Sequence, residues 1–137
     1  MKVYYTCFLL EDDKHVTWRF GEDATLCTIE GEHVDVRVVG KYKDEIVECD
    51  IVKVKLLNGT VLTHQPNGTV LHVTTWFDER YASAKDSGLR ATENGWDAFY
   101  TTEINVGVST IVMKEETFIE IIKRFFYKIT SYNRSTS

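Results

Sequence analysis

The sequence predicts an α+β domain made mainly of antiparallel strands with few helices. Three observations carry this. Six runs rich in Val, Ile, Tyr, Phe and Thr, several with apolar–polar alternation, are separated by polar or glycine-containing turns. One stretch near the C-terminus instead spaces its apolar residues as a helix does. The 137 residues suit one domain able to bury a real core. We place that domain at residues 1–129 and a polar tail at 130–137.

Lys2 to Leu10 reads as a buried strand, and Glu11-Asp12-Asp13-Lys14 as a polar turn. His15 to Phe20 is a second strand, ended by Gly21-Glu22-Asp23. Ala24 to Ile29 carries only a weak signal for a short strand or turn. His33 to Val39 alternates, with Val34, Val36 and Val38 on one face. Gly40 to Glu45 reads as a connection. In Ile46 to Leu57, Val47, Cys49 and Ile51 share one face and Val52, Val54 and Leu56 the other, which predicts a bulge or bend near Asp50. Thr69 to Phe77 is another strand, and Phe99 to Met113 one or two more. Between them, Asp78 to Asp97 has no clear periodicity and reads as a long irregular loop. Glu115 to Tyr127 is the one clear helix, with Phe118, Ile119, Ile122, Phe125 and Phe126 as its core stripe.

Composition narrows the function. A net charge of −5 gives no global basic footprint for long nucleic acid, so duplex DNA is not an expected partner. The odd cysteine count, Cys7, Cys27 and Cys49 with no CxxC pair, reads as reduced buried thiols in a reducing, cytoplasmic compartment. No membrane span or signal-peptide pattern is present. Asn58-Gly59-Thr60 and Asn67-Gly68-Thr69 match the glycosylation acceptor pattern and read instead as turn chemistry. His33 reads as structural and His64 as a solvated loop residue. We expect a monomer.

Two triplets remain, His15-Val16-Thr17 and His72-Val73-Thr74, both inside strand-like runs. In a strand, residues i and i+2 share a face, so each copy offers an imidazole and a hydroxyl roughly 6.6 Å apart along the chain. Two such copies in one cleft would supply an acid, a base and donors for phosphoryl oxygens. The same alternation would put Arg19 beside His15 and Thr17, and Trp76 beside His72 and Thr74. There Arg19 would bind phosphate and Trp76 would stack a base. The segment before each triplet also repeats. Neither histidine has a neighbouring Asp, Glu or Cys at metal-ligand spacing, so no metal or other cofactor is expected.

The paired triplets, with the Lys2–Leu10 run before the first and the Glu32–Leu57 hairpin before the second, resemble the 2H phosphoesterase superfamily over most of the chain. The separation of the two histidines, 57 residues, implies that helices of larger members are missing or reduced. The resemblance implies a bilobal domain of two facing antiparallel sheets with the cleft between them. It implies His15 and His72 as a catalytic acid–base pair with neither role assigned to either one, Thr17 and Thr74 as phosphate ligands, and no metal. It also implies an RNA-type substrate linked through a 2′ oxygen. Of the options, 2′,5′-oligoadenylate comes first, as for the small viral phosphodiesterases of coronavirus, torovirus and rotavirus that blunt host RNase L signalling. A 2′,3′-cyclic phosphate end and a cyclic oligonucleotide immune signal follow. Arg80, Tyr81, Lys85, Ser87, Arg90 and Trp96, after the second triplet, are candidate ligand contacts, and Ser87 resembles a serine segment that some members carry there. A module that only sequesters a nucleotide is the reading from another class.

Overall fold

A computed structural model describes residues 2–20 and 28–115. Every strand pair in it is antiparallel, and all eight strands belong to one sheet. They are β1 (Lys2–Leu9), β2 (His15–Phe20), β3 (His33–Lys43), β4 (Val47–Lys55), β5 (Val61–Leu62), β6 (His72–Phe77), β7 (Asp97–Ala98) and β8 (Ile104–Glu115). One α-helix, α1 (Asp86–Asn94), sits between β6 and β7. The strand order is β2-β1-β8-β3-β4-β5, with β6 also paired to β4 and β7 to β3. The class is therefore a sheet-rich α+β domain. Hydrogen bonding runs unbroken from β8 to β3, so the two halves are parts of one sheet rather than the two separate sheets expected.

The sheet curls until β2 and β6 lie alongside each other. Its inner face holds the main core: Phe8, Val16, Val34, Val36, Val52, Val54, Leu56, Leu71 and Val73. Residues from both ends of the strand order, Val16 and Val73, meet there. On the outer face α1 covers a smaller core of Cys49, Ile51, Val70 and Ala91. These two cores explain the switch of faces within Ile46–Leu57. A strand covered on both sides shows apolar residues on both. β4 itself carries no extra residue; in the β3–β4 ladder that residue is Val39 of β3, between the Val38↔Val52 and Gly40↔Ile51 pairs.

Other expectations need correction. β3 continues through Lys43, so Gly40–Lys43 is strand and not connection. Asp78–Asp97 is not irregular throughout. Its α1 segment buries only Ser87, Gly88 and Ala91, small residues that leave no apolar stripe to detect. Glu115 ends β8 rather than starting a helix. The rest of the predicted helix, Gly21–Cys27 and the tail lie outside the described residues. The two Asn-Gly-Thr sites are turns, as expected. In each, the Asn side chain accepts a hydrogen bond from the Thr amide (2.9 and 3.0 Å), and the Gly φ is +89° or +91°.

Candidate functional site

The two His-x-Thr strands occupy equivalent places. β2 pairs with β1 through Leu9↔His15, Phe8↔Val16 and Cys7↔Thr17. β6 pairs with β4 through Ile51↔His72, Asp50↔Val73 and Cys49↔Thr74. In both halves the threonine faces a buried cysteine on the partner strand, and burial pushes each thiol up to about 11. In both halves an extra residue follows the threonine, Trp18 in one and Thr75 in the other. Following the antiparallel pairs from β2 to β6 gives these two strands opposite directions, so a local two-fold relates the halves. The central valines point into the shared core, so both His-x-Thr pairs point to the outer face.

The bulges correct two expectations. An extra residue shifts everything after it to the other face. Arg19 pairs with Thr6, next to buried Phe8, and not with the row of Cys7 and Thr17. Trp76 pairs with Glu48, on the side of Asp50, and not with the row of Cys49 and Thr74. Alternation from the histidines assigned Arg19 and Trp76 to the His-x-Thr face, and the ladder assigns them to the opposite one. The aromatic residues brought round instead are Phe20 and Phe77, which pair with Tyr5 and Val47.

His72 is held on several sides. It is only 8% exposed. Its Nδ1 lies 2.8 Å from the Val70 carbonyl, so in the neutral ring Nδ1–H donates and Nε2 keeps its lone pair. Thr92 on α1 accepts a hydrogen bond from the Val70 amide (3.0 Å), which fixes the residue that fixes the ring. A Cβ built on Gly88 would overlap the imidazole, so α1 packs backbone against it. Burial lowers the His72 pKa below its ordinary 6.5; the bond to Val70 works the other way, and the charge of His15 lowers it further. That through-space effect of His15 on His72 puts the two imidazoles in electrostatic reach of each other.

His15 is exposed at the start of β2, its ring 5.9 Å from that of Tyr5, and partial desolvation lowers its pKa too. Thr74 Oγ1 lies 2.9 Å from the Ala84 carbonyl and 2.8 Å from Ser87 Oγ, which itself reaches Ala84 at 3.1 Å. Ser87 is thus beside the second triplet but fully buried.

The remaining candidates are placed elsewhere. Arg80 forms a two-point ion pair with Asp78 and lies over the Tyr81 ring. Arg90 pairs with Asp44, whose carboxyl is held far below the usual range. Burial opposes that shift, but Tyr42, the amides of Ile46 and Val47, and Arg90 all donate to it. Lys85 is the cap residue before α1, and Trp96 lies against Gly40 of β3. His64 is an exposed residue bonded to Thr63, and His33 is the exposed first residue of β3. Among the described residues no three His, Cys, Asp or Glu side chains gather as a metal site would require, and no helix is long and apolar enough to cross a membrane. Sequence reasoning missed Val70, Ala84, Gly88 and Thr92. Three of them act through backbone atoms, and Thr92 by a hydroxyl in a segment read as loop. No family model, curated protein or solved structure matches this chain.

Proposed function

We propose that the protein is a metal-independent phosphodiesterase of the 2H type. One observation carries the reading: two His-x-Thr strands share a register, a following bulge and an outer face, with their histidines in electrostatic reach. Neutral His72, with Nδ1–H tied to Val70, accepts a proton at Nε2 from the attacking hydroxyl or water. Protonated His15, the more exposed of the two, gives a proton to the leaving oxygen. One P–O bond forms, one breaks, and the two imidazoles exchange protonation states. Thr17 donates to a non-bridging oxygen. Thr74 does so once Ser87 takes over the bond to Ala84, which it already reaches.

The substrate class is a small RNA-type diester engaging a 2′ oxygen, with 2′,5′-oligoadenylate first. The acidic chain suits a short oligonucleotide better than long RNA. The test is incubation with 2′,5′-oligoadenylate, a 2′,3′-cyclic phosphate end and a cyclic oligonucleotide, with product analysis in excess chelator. Many turnovers per protein on one of these supports the reading. Recovery of intact ligand after denaturation makes the protein a sequestering module, and loss of turnover on chelation alone removes the metal-free mechanism.

A further inference from the structure

Helix α1 has little apolar reason to stay where it is. Its nine residues are too few to hold a helix alone in water. Its cap residue, Lys85, makes no side-chain bond to the first turn. Of its side chains only Ala91 joins an apolar core, and its one large apolar residue, Leu89, is 43% exposed. A single methyl group against the sheet is a weak anchor.

The other contacts fall into rows, each of two residues four apart, as the helical period requires. Ser87 and Ala91 form the middle row and are fully buried against the sheet. On one flank Gly88 lies on the His72 ring, and Thr92 Oγ1 accepts from the Val70 amide. On the other flank Arg90 Nε donates to Asp44 Oδ2, and Asn94 Nδ2 donates to Tyr42 Oη at 3.0 Å. One flank is therefore the seat of the imidazole, and the other is fastened to the turn between β3 and β4.

That turn is a firm anchor. Asp44 Oδ1 accepts from the amides of Ile46 and Val47, both at 2.9 Å. Its Oδ2 accepts from Tyr42 Oη at 2.7 Å as well as from Arg90. Arg90 reaches a carboxylate that other donors already fix, and a bond between two charged groups is among the stronger ones. Cut from it, α1 would roll on the Ser87–Ala91 row and lift Gly88 and Thr92 away from His72 and Val70.

We propose that Asp44 is a positioning residue for His72: through Arg90 it stops α1 from rolling off the imidazole, and α1 keeps the ring in the form that carries its proton on Nδ1. The consequence for turnover rests on the phosphodiesterase reading; the effect on the ring does not.

The test is histidine-selective nitrogen-15 NMR of the full chain at about pH 8, where His72 is neutral, with His72→Ala to assign its signals. The wild type should show Nδ1–H alone. Replacing Asp44 would also strip the acceptor from two hairpin amides, so the tie is cut from the other side. Arg90→Gln should give a mixture of the two tautomers, and Arg90→Lys, which keeps the charge, should restore the wild-type pattern. Arg80→Gln breaks the exposed pair with Asp78 and should leave that pattern unchanged. On the diester that is turned over, Arg90→Gln should lower kcat roughly ten- to hundred-fold with KM little changed. If no diester is turned over, the phosphodiesterase reading fails and the tautomer still decides the proposal. It is overturned by an Nε2–H ring in the wild type, an unchanged pattern in Arg90→Gln, a Lys variant no better than the Gln one, or the same mixture in Arg80→Gln. Full kcat in a variant with mixed tautomers likewise removes the positioning role.

Discussion

The two His-x-Thr halves share a register but not a degree of support. His72 is buried, its tautomer set by Val70 and its ring packed against Gly88. His15 is exposed, with an aromatic neighbour and no described helix upon it. Thr74 is tied to Ser87 and Ala84, whereas Thr17 makes no side-chain hydrogen bond among the described residues. A repeated strand pair fixes where groups stand, but α1, which among the described residues covers only the β6 side, fixes how rigidly. A buried imidazole with a set tautomer suits the base, and an exposed one suits an acid that must be reprotonated from solvent.

The comparison breaks most sharply at the histidines. His72→Ala and His15→Ala should each lower turnover on the active diester by roughly 10²–10⁴-fold, and the double variant should be little worse than either. Circular dichroism serves as the fold control. Full activity in one single variant would mean that the halves do not act as a pair.

Gly88→Ala comes next. Its methyl would drive His72 or α1 out of place, costing roughly 1–3 kcal/mol by overpacking and about a hundred-fold in rate by misplacing the base. Tyr5→Leu, beside His15, should change the rate far less. Equal effects from the two substitutions would show that α1 does not distinguish the halves.

The threonines should differ as well. Thr74→Ala removes a hydroxyl inside a bonded group and should cost about 1–2 kcal/mol in denaturant unfolding. Thr17→Ala should cost less than about 0.5 kcal/mol, while slowing turnover. A Thr17 variant as unstable as the Thr74 one would reveal support on the β2 side.

The smallest effects are those of pH. Both histidines titrate below the ordinary 6.5, so the activity optimum should fall on the acid side of that value. Stability follows the same sign. With folded pKa values lowered, the unfolded chain takes up protons first as pH falls. Stability is therefore full above 6.5 and declines as pH drops through the range between the unfolded and folded values. Thermal unfolding from pH 8 to pH 5 should show this, and more weakly in His72→Ala. A melting temperature that rises on acidification would contradict the shifts.

The sequence by itself determined the class, most strands and the pairing of each histidine with its threonine. Period-two alternation reports which residues share a face wherever the ladder is regular, and Val34, Val36, Val52 and Val54 are buried as read. Tertiary structure alone decided Arg19 and Trp76. A bulge exists only between two strands, and one strand's sequence holds no sign of the residue its partner skips. It also decided α1, whose polarity varies at the helical period but whose buried face of Ser87, Gly88 and Ala91 offers no large apolar side chain to mark it as a core helix. Unlike Leu56 or Val16, these residues stabilise by close backbone approach rather than apolar area. What they contribute depends on the ring of His72 lying against them, a contact between segments that no reading of either alone contains.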